Sequence, residues 1–138
     1  FRNKNIFLID ESYNSNPLSL ESAIKNFDLI NVKSSKKHLV MGDMLELGKH
    51  TKKLHIQISK VINLSSIGSV SVFGKAAQET YKKIKNEKRG IILRKTSKIF
   101  DLIVNNLNNN DYLMIKGSNS TGLNKFVKIL KRKKLNVI

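Results

Sequence analysis

Ile6-Phe7-Leu8-Ile9-Asp10-Glu11-Ser12-Tyr13-Asn14-Ser15-Asn16-Pro17 is the stretch on which the fold turns. An apolar, β-prone run, Ile6–Ile9, passes into a polar loop that ends on Asn-Pro. Near-continuous hydrophobicity of this kind belongs to a strand covered on both faces, as in a parallel sheet between helices. Asn16 is able to cap free amides and Pro17 suits the first helical position, so a helix is predicted to start here. Its inward stripe is Leu20, Ala23, Ile24, Phe27 and Ile30, at 3.6-residue spacing.

The same alternation continues outward along the chain. Further strands are predicted at His38–Met41, Val70–Phe73, Ile91–Leu93 and Tyr112–Ile115, with a short last one at Leu135–Ile138. Between them lie helical stripes: Leu54, Ile58, Val61 and Ile62; then Ala77, Tyr81 and Ile84; then Ile99, Leu102, Ile103 and Leu107 from about Thr96 or Ser97; then Leu123, Phe126, Val127 and Leu130 from near Thr121. These stripes are read as core. Asn105–Asn110 reads as a helix end and turn. Strand and helix alternate to the end, which predicts right-handed crossovers and an α/β fold: a doubly wound, mostly parallel, Rossmann-like sheet of about six strands with helices on both faces.

Composition bounds the rest. A chain of 138 residues holds one domain with a real core. It enters a strand within five residues of Phe1 and has no Met at its start, so it is expected to be a single domain of a longer protein. No apolar run approaches the ~20 residues of a membrane span. The absence of Cys excludes disulfides, thiolate metal sites and Cys nucleophiles, and fits a cytoplasmic protein. His38, His50 and His55 have no carboxylate at ligand spacing, so no metal site is expected. His55, beside an apolar stripe, is expected to be a satisfied, partly buried residue.

The formal charge of +16 invites a nucleic-acid reading. Lys, however, outnumbers Arg 22 to 4, and Asn and Ile are abundant, which is the bias of an AT-rich genome. Lysines are scattered along helix faces, and the one dense cluster, Lys131-Arg132-Lys133-Lys134, falls at a predicted helix end that favours cations. Aromatics are few and show no stacking pattern with Arg. Nucleic acid is therefore not the expected partner; a basic nucleic-acid-binding α/β module is the alternative, and it predicts steeply salt-dependent association.

In sheets of this kind ligands bind beyond the carboxyl ends of the strands. Polar residues gather there. Asp10 to Pro17 follows the first strand, Gly42-Asp43-Met44-Leu45-Glu46-Leu47-Gly48 the second, Gly74-Lys75 the third, and Lys116-Gly117-Ser118-Asn119-Ser120-Thr121-Gly122 the fifth. Four of the ten carboxylates (Asp10, Glu11, Asp43 and Glu46) sit in the first two loops. They suit an ammonium group, ribose hydroxyls, or a proton leaving an attacking amine. Gly117 permits close backbone approach, and its amide neighbours with Lys116 suit a carboxylate or phosphate. The plain alternatives are strand ends, an Asx turn at Asn14, a turn at Asp43 and a solvated Lys116. Gly117 to Lys125 is not a P-loop, because Leu123 stands where Lys must reach the phosphates. No GxGxxG follows any strand.

Taken together the loops resemble one family, the Mur ligases, and within it the MurF type that adds D-alanyl-D-alanine to UDP-N-acetylmuramoyl-tripeptide. The segment Asp10 to Pro17 resembles its D-(D/E)-(S/T)-Y-N-A-N-P motif. Val40 to Gly48, followed by His55, resembles its G-D-M-x-E-L-G…H segment, and Lys116-Gly117-Ser118 its K-G-S-R loop. Order and spacing agree over essentially the whole chain. The resemblance implies a three-domain cytoplasmic, monomeric enzyme of peptidoglycan synthesis in which this is the carboxy-terminal domain, inactive alone. ATP and Mg2+ would be held mainly by a central domain that closes against this one in cis. The tripeptide carboxylate would be activated as an acyl phosphate and attacked by the dipeptide amine. Carried onto this chain, Asp10, Glu11, Tyr13, Asn14, Asn16 and Asp43 would face the nucleotide and the interdomain cleft. Lys116, Gly117, Ser118, Asn119 and Lys75 would face D-alanyl-D-alanine, with no catalytic residue assigned. Asn119 replaces the family Arg and removes a bidentate carboxylate clamp, for which Lys75 or Lys116 is a candidate substitute. Ser15 replaces Ala. The reading requires these segments to converge on one edge of the sheet.

Overall fold

The computed structural model describes residues 4–133 and the backbone of 136–137. Six strands, β1 (Ile6–Glu11), β2 (Lys37–Gly42), β3 (Ser69–Phe73), β4 (Arg89–Leu93), β5 (Asp111–Lys116) and β6 (Asn136–Val137), form one sheet in the order β4-β3-β2-β5-β1-β6. Every pairing is parallel. The helices between them are α1 (Pro17–Asp28), α2 (Thr51–Leu64), α3 (Ala77–Tyr81), α4 (Lys98–Asn106) and α5 (Leu123–Lys131). The predicted strands are all present; of the last one, Leu135 and Ile138 lie outside the described residues, as does Lys134 of the basic cluster.

Strand side chains alternate between two cores, as a pleat requires. Leu39, Met41, Val70, Val72 and Met114 pack with Leu20, Ile24 and Phe27 of α1, Ile58 and Ile62 of α2, and Ala77 of α3. Ile6, Leu8, Val40, Leu113 and Ile115 pack with Ile99, Leu102 and Ile103 of α4 and Leu123, Phe126, Val127 and Leu130 of α5. So α1, α2 and α3 cover one face and α4 and α5 the other.

Local chemistry sets the ends. Asn16 caps α1 in a full capping box, with its side chain accepting from Ser19 N–H and Ser19 Oγ accepting from Asn16 N–H. At the other end of α1 the buried Lys37 ammonium donates to the Asp28 carbonyl (3.0 Å) and to Ser66 Oγ (2.8 Å), where a cation suits a helix C-terminus. The third helix is shorter than its stripe. Ile84 is buried but lies beyond α3, because Asn63 accepts from Lys85 N–H and donates to the Lys83 carbonyl, taking over bonds the helix would make. Asn110, at φ 67, makes the turn expected before β5.

Candidate functional site

Because β5 lies between β2 and β1, its following helix goes to one face while theirs go to the other. The chain therefore opens a crevice at the carboxyl ends of these three strands, the switch point where such sheets take ligands. A cleft of about 490 Å³ occupies it, lined by Tyr13, Asn14, Ser15 and Asn16 after β1, Leu45, Glu46 and Leu47 after β2, and Ser118, Asn119 and Ser120 after β5. Three of the four polar segments singled out from sequence thus meet at one edge.

The ties between them are specific. Lys116, the last residue of β5, is 3 % exposed and its ammonium donates to the Asn14 carbonyl, with the Glu11 carboxylate 3.8 Å away. Burial pulls this ammonium below the ordinary 10.5, and Glu11 works against that fall. Ser118 Oγ donates to the Ser15 carbonyl (3.3 Å) and accepts from Leu45 N–H (3.4 Å), joining all three loops. Gly117 is buried where a Cβ would meet Leu123 Cδ1 at 2.6 Å, so the loop packs flush on α5.

The remaining candidates are placed as follows. Asp10 lies behind the β1 loop, accepting from Ser12 N–H (3.1 Å) and Ser12 Oγ (2.5 Å) and pairing with Lys131 at 2.7 Å. Burial alone would raise its carboxyl, but the bonds from Lys131 and Ser12 outweigh it and hold the group below 3.8. Glu11 is exposed beside Lys116 and does not line the cleft. Asp43 turns away from the cleft: its Oδ1 accepts from Ala77 N–H at 2.7 Å, at the start of α3. Its carboxylate fills the space beside Gly74, where a Cβ would come within 2.4 Å of Oδ1, and Gly74 has φ +118. Lys75 is exposed after β3 and is not among the lining residues, and Lys116 is occupied, so neither cation stands at the cleft as a clamp. Asn119 lines the cleft and accepts from Asn124 Nδ2.

His55 is fully buried, deeper than expected. Its Nε2 accepts from Met44 N–H (3.0 Å) and its Nδ1 donates to the Thr51 carbonyl (2.7 Å), which fixes the Nδ1–H tautomer and uses both nitrogens. It props the β2 loop and has no nitrogen left for chemistry. Sequence reasoning quoted Leu45, Leu47 and Ser120 without assigning them a site role, and counted Glu46 only as one of the four carboxylates of the first two loops. Glu46, a non-Gly residue at φ 61, is the one whose strain marks it, and among the described residues it is the only carboxylate lining the cleft. Among the described residues no Lys or Arg lines the cleft, and no group of three His, Asp or Glu could hold a metal. No helix among them is long and apolar enough to cross a membrane.

Comparison with known proteins bears on the family and the fold. Residues 2–119 match the Mur ligase glutamate ligase domain family. The chain is 33% identical over 126 residues to the UDP-N-acetylmuramoyl-tripeptide–D-alanyl-D-alanine ligase of Buchnera aphidicola subsp. Acyrthosiphon pisum, covering 91% of this chain and 27% of that enzyme. With the Bacillus subtilis enzyme of the same name it shares 28% over 127 residues, 89% of this chain and 27% of the relative. In fold it is similar to a MurF ligase from Thermotoga maritima crystallised in complex with ADP, with TM-score 0.75 and 22% identity, over 96% of this chain and 30% of that one. The chain thus spans about a quarter of the curated relatives it matches, at 27%. Nothing in these comparisons supports the nucleic-acid alternative.

Proposed function

Since the chain belongs to the Mur ligase family as a glutamate ligase domain, we propose that it is the carboxy-terminal, substrate-closing part of a cytoplasmic ATP-dependent ligase joining D-alanyl-D-alanine to UDP-N-acetylmuramoyl-tripeptide. The observation that carries this reading is the meeting of the β1, β2 and β5 loops around one cleft at the switch point of the sheet.

In the whole ligase, ATP with Mg2+ would supply the activation of the tripeptide carboxylate as an acyl phosphate. The residues of this cleft do not fit the phosphates or the metal, since the lining is without cations and holds one carboxylate. In this reading those groups sit in the central domain of the whole ligase. Apart from the Glu46 carboxylate, what the cleft offers is uncharged. Asn14, Asn16, Ser118, Asn119 and Ser120 present amide and hydroxyl groups suited to ribose hydroxyls, a base edge or the dipeptide amide. Glu46 suits the dipeptide ammonium before its amine is deprotonated for attack. Tyr13, 74% exposed, and Leu45, 37% exposed, give the rim apolar surface that a closing domain would cover. Such closure excludes water from an acyl phosphate that water would otherwise hydrolyse.

The test is turnover. The full-length ligase, given ATP, magnesium, the UDP-tripeptide and D-alanyl-D-alanine, should release phosphate in step with amide product. This 138-residue chain alone should release none above background. Turnover by the chain alone, or phosphate release by the full-length enzyme that ignores the dipeptide, contradicts the reading.

A further inference from the structure

The cation that sequence assigned to the dipeptide is not open to it. Lys116 ends β5 in register with Glu11 of β1 and beside Met41 of β2, and its side chain is 4% exposed. Its ammonium is spent on the Asn14 carbonyl, beneath the loop that forms one wall of the cleft. That loop has few other anchors. Asp10 bonds Ser12 locally, and Asn16 and Ser19 bond each other within the α1 cap. Tyr13 and Asn14 are exposed and bring no core of their own. Among the described residues, the side-chain ties from elsewhere in the fold to the backbone of residues 13–15 are two, Lys116 to Asn14 and Ser118 to Ser15.

We propose that Lys116 is a positioning residue, whose buried ammonium fixes the loop of residues 13–16 against the end of β5 and does not itself hold a ligand. This rests on the cleft being the ligand site proposed above. A buried ammonium is costly unless paired and hydrogen-bonded, and the Asn14 carbonyl with the Glu11 carboxylate meets that need only while the loop is seated. Its lowered proton affinity agrees with an amine screened from solvent. The loop and the cation therefore hold each other, and Ser118 extends the tie to the β2 loop.

The experiment uses the full-length ligase with Lys116→Met, Lys116→Arg and Ser118→Ala, reading amide exchange in residues 13–16 and the KM of each substrate. Lys116→Met keeps the stem and loses the donor; it should speed exchange in that loop at least about tenfold while β5 stays protected. The KM values for nucleotide and dipeptide should rise together, with kcat falling, because one displaced wall serves both. Lys116→Arg should restore most of the protection, and Ser118→Ala should show the same pattern more weakly. A rise of about tenfold or more in the dipeptide KM alone, with loop exchange as in wild type, would make Lys116 a ligand and overturn the proposal. Should Lys116→Met not fold, wild-type loop exchange in both Lys116→Arg and Ser118→Ala would overturn it equally. A wild-type ligase that never uses the dipeptide would end the functional reading while leaving the exchange prediction standing.

Discussion

Ser15 puts a hydroxyl at a buried position, 3% exposed, where its Oγ meets no hydrogen-bond partner among the described residues. The motif it resembles has Ala there. A buried hydroxyl without a partner costs more than the methyl it replaces, so Ser15→Ala should stabilise the chain by up to about 1 kcal/mol, read as a higher urea midpoint at unchanged slope. A lower midpoint would mean that the hydroxyl is satisfied. At Asp10 the same kind of accounting gives a pH dependence. Its carboxyl is held below 3.8, so it contributes stability above that pH and loses it as pH falls through the lower folded value. Asp10→Asn should therefore cost on the order of 1 kcal/mol near neutrality, with the difference from wild type shrinking in acid below about pH 4. A difference constant with pH would contradict the Lys131 and Ser12 bonds as its source. Individual residues of this kind were half legible in sequence. The Asp10–Ser12 bond spans only two positions, yet the sequence reads there as a strand end at Asp10 and an Asx turn at Asn14 instead. The turn of Asp43 toward Ala77, 34 positions on, was not legible, because nothing local says which loop will lie beside β3.

At the scale of elements, local signals read well and tertiary ones did not. Asn16-Pro17 names the start of α1 because a capping box closes within three residues. Asn16→Ala should lose the half of the box in which that side chain accepts from Ser19 N–H and cost about 1 kcal/mol, while Asn16→Asp should keep most of it. If the Asp variant is stable yet the ligase is impaired, the residue's place in the cleft is separated from its capping role. Equal stability of Ala and Asp variants would contradict the cap. The third helix shows the reverse case. Its stripe to Ile84 is correct for burial and wrong for helix length, since Asn63 of α2 ends it through bonds invisible to periodicity. Likewise Ile30 is partly buried against the α1 core although the helix has ended at Asp28.

At the scale of the molecule, the alternation of strand and helix gave an α/β sheet, but the position of β5 between β2 and β1 had to come from long-range pairing. That insertion makes the cleft. It also separates two polar ends. At the amino ends of β2 and β5, His38 Nε2 lies 2.8 Å from Asp111 Oδ2, a pair 73 positions apart that no ligand spacing reveals. Asp111 is buried, also accepts from Asn108 N–H and has Lys36 at 3.5 Å, so it serves the start of β5. Cations and carboxylates there are paired for structure. The carboxyl end instead presents the Glu46 carboxylate and a set of uncharged polar groups around open space.

The most direct measurement is hydrogen exchange across the full-length ligase, with and without a non-hydrolysable ATP analogue, the UDP-tripeptide and D-alanyl-D-alanine together. Added protection should concentrate in residues 12–16, 45–47 and 118–120, with the His38–Asp111 end unchanged. Protection at that amino end, with the three loops exchanging as they do without ligands, would contradict the account.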